Sequence, residues 1–388
     1  MAREPTARVR VAVVLDTAPP WSKGGRERRY AEMLPRLAAQ DLSICLYTMR
    51  WWDERPVGGA ISYAAICPRL PLYRDGRRSI LHGVLFAIGT LQLAFRGLDV
   101  IVADHMPYLQ LFPLRAVAWI RRVPLVAEWH ESWDAAYWRE YLGPLGVIGA
   151  TIERAAERTP DVIVAISAGL ANELGAHGVA DTKLVVISNA VDRSATARVE
   201  AAIDAPEVLV VGRLVEHKRV DVALGAFARL TQRSPAPRLG IVGVGPDRHR
   251  LEDLARTLGV DARVRFFGTV DGDGATWALM RGATVLVAVS EREGFGLTVA
   301  ESLALGTPVV TVDCDGNEAR RLVEHESTGA VVRCGDVAAV SAAIDVWLDR
   351  RVDHRELSER FWERHADLDW DVNAASYASV LKTLAKRR

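Results

Sequence analysis

Short apolar runs rich in Val and Ile alternate along this chain with longer segments whose apolar positions recur three and four residues apart. The first pattern reads as strands buried on both faces, the second as helices covering them. Strands are expected at Val9 to Leu15, Leu42 to Thr48, Ile61 to Ile66, Val100 to Ala103, Leu125 to Glu128, Val162 to Ile166 and Leu184 to Ile187. After a lapse the pattern restarts at Val208 to Val211 and continues at Leu239 to Val242, Val264 to Phe267, Val285 to Val289, Val309 to Val312 and Ala330 to Val332. Strands separated by helical segments predict parallel sheets of the α/β class.

The lapse, from Asp192 to Pro206, is the best linker. It predicts an α/β fold of two Rossmann-like, doubly wound domains facing a cleft, spanning 1–192 and 193–368. The stretch from about 369 to 388 is helical in spacing, with Trp370, Tyr377 and Leu381 as apolar anchors. Periodicity does not say which domain it joins. In open parallel sheets ligands bind beyond the carboxyl ends of the strands, so the residues following each strand are the ones to inspect.

Lys and Arg number 49, as do Asp and Glu, so bulk charge gives no reason to expect nucleic acid. Cys45, Cys67, Cys314 and Cys334 have no Cys-x-x-Cys spacing; structural disulfides are not expected, and a reducing cytoplasm is the expected location. Residues 1–10 lack the apolar core of an export signal. Ser79 to Phe95 is apolar but short for a membrane span, and a helix buried against a sheet is expected there. Its surroundings, from Arg69 to Arg122, hold eight arginines against three acids. That excess would suit anionic lipid at the inner membrane face, a phosphorylated acceptor, or simple solvation.

The most informative stretch is Ser290 to Ser302, in which Glu293 and Glu301 flank the glycines Gly294 and Gly296. A strand precedes it, and a helix from Leu297 runs to Leu305, ending at Gly306-Thr307-Pro308. Glycines before a helix N-terminus let free N–H groups approach a phosphate. Ionised carboxylates accept hydrogen bonds from sugar hydroxyls. A nucleotide sugar satisfies both features. Gly212, Arg213 and Lys218 follow another strand and would neutralise a diphosphate, although solvated surface cations fit the same residues.

Gly243 and Gly245 form a further turn after a strand, either a nucleotide-side loop or an ordinary tight turn. Gly24 and Gly25, between the first strand and a helix beginning near Arg26, permit close backbone approach or form a plain loop. His130 stands at a strand end, where its imidazole could donate to a sugar or to developing charge; a satisfied structural role is the alternative. Asp104-His105 is a weaker candidate of the same kind. Asp271-Gly-Asp273 and Asp313-Cys-Asp315 have the form of metal clamps but are common turn and cap chemistry, and Glu318 stands where a calcium loop needs glycine. No metal site is expected.

The ordered set formed by Gly24-Gly25, His130, Val164 to Ser167, Ile187 to Asp192, Gly212-Arg213 with Lys218, Gly243 to Pro246, and Glu293 through Glu301 resembles family 4 of the retaining glycosyltransferases. The resemblance implies the two-domain GT-B fold, with the last helix returning to the first domain. It also implies that Arg213 and Lys218 hold the donor diphosphate, Glu293 meets the donor sugar, Glu301 meets the ribose, and the amides of Phe295 to Leu297 help bind the donor. His130 would sit near the donor sugar, and Gly24-Gly25 near phosphate and acceptor. Most members need no catalytic metal. Ala190 stands where the family commonly has glycine, and could cost about 1 kcal/mol if the backbone there is strained.

The expected activity is transfer of a sugar from a nucleoside diphosphate sugar to an acceptor hydroxyl, the acceptor being lipid-linked or free, with retention at the anomeric carbon. The leaving diphosphate would help deprotonate the acceptor, so the nucleotide sugar is a substrate and no cofactor is called for. A nucleotide-sugar epimerase and a non-catalytic nucleotide-sugar-binding subunit are the alternatives. Base, sugar, acceptor and oligomeric state stay open.

Overall fold

The computed structural model describes residues 8–22, 24–56, 59–74, 77–133, 135–270 and 272–386, with the side chains of Tyr73, Arg74, Arg77, Thr231 and Gln232 also outside the description. The chain divides into two compact units, Met1–Asn189 with Trp370–Arg388, and Ala190–Asp369.

In the first unit seven strands form one parallel sheet: β1 (Val9–Val14), β2 (Leu42–Met49), β3 (Ile61–Cys67), β4 (Val100–Asp104), β5 (Leu125–Trp129), β6 (Val162–Ala165) and β7 (Leu184–Val186). Their spatial order is β3-β2-β1-β4-β5-β6-β7. The direction of strand order reverses between β1 and β4, where Val11 pairs Val100 and Val14 pairs Ala103. Helices α1 (Gly25–Ala39), α2 (Ile80–Thr90) and α3 (Leu111–Arg121) pack on the sheet, and α4 (Gly146–Ala156) lies between β5 and β6 in the chain. Central strands are apolar at successive positions because both faces are covered; Val11 to Val14 are all buried.

The second unit repeats the design with six strands: β8 (Val208–Val211), β9 (Leu239–Val242), β10 (Val264–Gly268), β11 (Val285–Ala288), β12 (Val309–Asp313) and β13 (Gly329–Arg333). The order is β10-β9-β8-β11-β12-β13, so here the reversal falls between β8 and β11. Helices α5 (Val220–Ala228), α6 (Leu297–Ala304) and α7 (Val337–Asp349) follow β8, β11 and β13. The stretch 192–206 is no free linker: the Ala202 N–H donates to the Ala278 carbonyl of this unit at 2.9 Å. Ala190 is buried, and its φ is not among the positive values, so the strain that its missing glycine might have implied is not incurred.

The last helix, α8 (Trp370–Lys386), returns to the first unit and packs on α1. Trp370, Tyr377 and Leu381 are buried there, Asn373 Nδ2 donates to the Ser188 carbonyl at 2.8 Å, and Arg36 Nε donates to Asp371 at 2.7 Å.

Two expectations fail. Residues 80–95 are not a buried helix: α2 and the 3-10 turn Leu91–Phe95 bury His82, Phe86 and Thr90 but leave Ile80 71 % and Phe95 90 % exposed. With one face turned inward, the other has nothing among the described residues to bury against. The cysteines also differ, for Cys314 and Cys334 form a disulfide with their Cα atoms 5.2 Å apart. The cause is register. Asp313 at the end of β12 pairs with Arg333 at the end of β13, so the next residue of each strand arrives beside the other. A sequence separation of 20 gave no hint of it.

Closing a loop of that length removes chain entropy from the unfolded state. Replacing Cys334 with Ser should therefore lower unfolding free energy by about 3 kcal/mol in denaturant titration without reductant, and by far less when wild type and variant are both fully reduced. An equal difference under both conditions would show that the loss comes from packing.

Candidate active site

In the second unit the loops at the β8 and β11 strand ends meet at the strand-order reversal. After β8 come Gly212 and Arg213, then a 3-10 turn Glu216–Lys218, and Arg219 with φ 49° leads into α5. After β11 the chain turns through Glu293, Gly294 and the buried Phe295 into α6, whose N-cap is Gly296. One pocket is lined by Gly212, Arg213, Lys218, Glu293, Gly296 and Thr298. Lys218 Nζ and a Glu293 carboxylate oxygen form an ion pair within it. Both are partly exposed, so the pair adds little stability, and a diphosphate with several charged oxygens can displace the carboxylate from the ammonium.

The turn 314–319 builds the wall behind this loop. The Glu293 N–H donates to the Gly316 carbonyl at 2.8 Å, and the Glu293 carbonyl accepts from the Glu318 N–H at 2.9 Å. Asn317, fully buried, fastens the turn to β12 through Nδ2, which donates to the Val312 carbonyl at 2.9 Å. Gly296 has φ 89°, and a Cβ there would lie 2.2 Å from the Ala319 Cβ. Glycine is thus required twice, by backbone conformation and by the neighbouring turn. The first-turn amides of α6 have no side-chain cap, which leaves this helix end suited to an anion.

Other expected residues fall elsewhere. Glu301 is on α6 and only 4 % exposed. A Cβ on Gly243 would come 1.8 Å from the Gly212 carbonyl oxygen, and one on Gly245 would come 2.0 Å from that of Leu214. Those two glycines let the turn after β9 pack against the loop after β8, supporting the cationic loop from behind. His217, missed at the sequence level, is pushed down to about 4 by burial and by Lys218, Arg292 and Arg213, so it is neutral near pH 7. Asp313, the first carboxylate of that clamp pattern, pairs with Arg320, and the Cys314 between the two acids is in the disulfide. Asp271 lies outside the described residues.

The first unit carries its own polar cluster where β1 and β4 diverge. The buried Asp104 ends β4 and lies 3.1 Å from His130 Nε2, while its other oxygen accepts from Arg26 at 3.1 Å. Arg26 also reaches Asp16 at 3.2 Å and Thr17 Oγ1 at 2.7 Å. Burial alone would raise the Asp104 pKa, but Arg26 and His130 outweigh it and hold the carboxyl well below its usual range. His105, whose ring is tilted against those of Trp129 and His130, is pushed down to about 3 by burial against the pull of Asp104. Arg29, fully buried, donates to Glu128 at 2.8 Å and to the Ser188 carbonyl at 2.9 Å.

Asp104, His105 and His130 could each offer one atom to a metal ion. Arg26 already holds the Asp104 carboxylate, and a second cation there would be repelled. His130 is therefore a His oriented by a carboxylate, the form that suits proton or charge chemistry at a strand end. Gly25 has open space where a Cβ would stand, whereas a Cβ on Gly24 would meet the Glu27 carboxylate at 2.4 Å. Sequence reading missed Arg26 and Asp16, whose only signal was charge placed at the ends of apolar strands.

Comparison with known proteins gives the family and the fold. The model of glycosyltransferase family 4 matches residues 23–195, and that of glycosyl transferases group 1 matches 164–365. A glycogen synthase of Mycobacterium tuberculosis (strain ATCC 25618 / H37Rv) is 31 % identical over 281 residues, covering 70 % of this chain and 66 % of the relative. The lipopolysaccharide core glycosyltransferase LpsE of Rhizobium meliloti (strain 1021) is 34 % identical over 196 residues, 48 % of this chain and 54 % of LpsE. The chain thus aligns with only about half to two thirds of these relatives' lengths. Among solved structures, sucrose-phosphate synthase from Thermosynechococcus elongatus superposes with a TM-score of 0.77 at 20 % identity, covering 98 % of this chain and 100 % of that one. Anabaena HepE in complex with UDP-glucose superposes with a TM-score of 0.66 at 18 % identity, covering 98 % of each chain. These likenesses give the fold as GT-B. With a family model matched over more than half of its length, the chain belongs to the group 1 glycosyl transferases.

Proposed function

We propose that this protein transfers a hexose from a nucleoside diphosphate sugar to an acceptor hydroxyl, with retention at the anomeric carbon, in the making of a glycan, glycolipid or glycoside. The observation that carries the reading is the convergence of Arg213, Lys218, Glu293 and the uncapped end of α6 on one pocket. Two cations and a helix N-terminus suit a diphosphate, and the carboxylate beside them suits sugar hydroxyls. A structural neighbour that holds UDP-glucose favours a uridine donor.

In this reading the anomeric C–O bond to the diphosphate breaks while the acceptor oxygen bonds to the same face of that carbon. The acceptor proton passes to the departing phosphate oxygen. Arg213, Lys218 and the α6 amides stabilise the charge growing on the diphosphate, where a fixed donor lowers the barrier most. Glu301 would read the ribose and Glu293 the sugar. His130, oriented by Asp104, would serve the sugar from the first domain, with Gly24 and Gly25 near the acceptor. With two protein cations for the diphosphate, the reaction should need no metal.

Thermal-shift screening of UDP-, GDP- and ADP-sugars tests the donor. One nucleotide class at about 100 times its Kd should add roughly 2.7 kcal/mol of stability. If none stabilises the protein, the donor reading fails. With the donor in hand, proton NMR of the product should show an α linkage from an α donor, and an inverted linkage would overturn the same-face displacement.

The Lys218 and Glu293 pair gives a sharper test. Lys218→Ala should weaken nucleoside diphosphate binding about 10- to 100-fold by calorimetry, because a charge-assisted contact is lost and Glu293 is left beside the phosphates. Glu293→Gln frees the ammonium, so it should bind the nucleotide at least as tightly as wild type while transfer falls on the order of 100-fold. Equal weakening in both variants would show that the pair is only structural. Finally, EDTA treatment should leave the transfer rate unchanged; a rate restored only by divalent ions would place a metal in the mechanism.

A further inference from the structure

Glu153, on α4, is 1 % exposed, and no step of the transfer uses it. It accepts hydrogen bonds from three separate segments of the first unit. Its Oε1 takes the Tyr108 hydroxyl at 3.0 Å and the Trp133 backbone N–H at 3.1 Å, and its Oε2 takes the Trp138 indole N–H at 2.5 Å. An ionised carboxylate only accepts, so it suits a place where donors alone converge. Burying one is costly unless such bonds satisfy it.

The local sequence is shaped to bring one of those donors in. Gly146, Gly149 and Glu153 recur at steps of three and four, on one face of α4. A Cβ on Gly146 would lie 2.4 Å from the Trp138 carbonyl oxygen, and one on Gly149 would lie 2.2 Å from the Trp138 ring. Glycine disfavours a helix interior, yet here it lets the helix Ala135–Leu142 approach until the indole N–H reaches Glu153. The Trp133 ring lies 4.8 Å from that of Trp138, so the same seat holds the residue whose backbone N–H donates to Glu153.

The other two donors lead to the polar cluster. Tyr108 begins the turn Tyr108–Gln110 after β4, and Gln110 Nε2 ties that turn to the Asp104 carbonyl at 2.5 Å and the Met106 carbonyl at 3.0 Å. The Met106 N–H donates to the Asp104 carboxylate at 2.8 Å. Trp133 stands three residues after His130 in the loop following β5. The contacts close a ring: Asp104 holds His130, the chain runs from each of them into its loop, and Glu153 holds both loops.

We propose that Glu153 is a positioning residue, whose carboxylate fixes the loops after β4 and β5 so that His130 keeps its place against Asp104. The part given to His130 rests on the transferase reading; the tie between the loops does not.

Glu153→Gln tests the tie, because the amide keeps the shape and one acceptor oxygen but its NH2 cannot accept the donors that faced the other oxygen. Tyr108→Phe and Trp138→Phe each keep a ring and remove one donor, which guards against a variant that does not fold. In amide hydrogen exchange of the full chain, residues 130–133 should exchange faster in Glu153→Gln and in Trp138→Phe, with β4 and β5 as protected as in wild type. Unchanged exchange in that loop would overturn the proposal. UDP release from UDP-glucose, with water as acceptor, tests the consequence. Turnover should fall about 10- to 100-fold in Glu153→Gln and about 3- to 10-fold in each of the other two, while calorimetric affinity for UDP stays within about twofold. In a His130→Ala background Glu153→Gln should cost less than about another twofold, since a residue acting through His130 has nothing left to position. A full further loss there, or a parallel fall in UDP affinity, would show general damage to the fold and overturn the positioning role. If wild type binds UDP yet releases none from UDP-glucose, the donor reading is at fault, and the exchange result alone decides the tie.

Discussion

Glu293 is gripped by its own backbone: its N–H donates to Gly316 and its carbonyl accepts from Glu318, at 2.8 and 2.9 Å. These bonds lock the loop after β11 to the turn after β12, and the rest of the candidate donor site depends on that lock. It sets where the carboxylate meets Lys218, and it brings Gly296 so near Ala319 that no side chain fits between. The α6 N-terminus is aimed by the same contact. A binding site at the strand-order reversal of a parallel sheet needs such a device, because strand ends diverge there and leave loops without a sheet partner.

The first unit meets the same divergence differently. Its strand ends carry buried charge, Asp16 and Asp104, and α1 answers with Arg26 while Arg29 serves Glu128. One guanidinium spanning two strand ends substitutes for the backbone lock of the second unit. His130 inherits its orientation from this network through Asp104, so its chemistry depends on residues far from it in sequence. Removing one charged member of such a buried set would leave the others uncompensated, a larger loss than any single pairing contributes.

The strands were legible in the sequence to within one or two residues, because strands covered on both faces must be apolar at successive positions, as Val11 to Val14 are. The glycine and charge pattern around Glu293 was legible because a turn into a helix is local. What remained hidden was whatever register decides. Cys314 and Cys334 meet only because β12 and β13 end level, and Gly243 has the Gly212 carbonyl against it, where a Cβ would stand. Ala190, suspicious against a family pattern, has an ordinary backbone. The α2 face was misread as buried since apolar spacing shows that a helix has a face to bury, while what covers it is a matter of neighbours.

The return of α8 to the first unit separates chain order from completion order. Trp370, Tyr377 and Leu381 fill the core of the unit whose strands all precede residue 190. On a ribosome, domains tend to fold as they emerge, from the N-terminal side. Here the first sheet can assemble early but cannot close its core until α8 has emerged, after every strand of the second unit has been made. The nascent chain therefore carries an unfinished domain while the whole second unit is made, with the uncovered seat of α8 on α1 as the surface that a chaperone would have reason to hold.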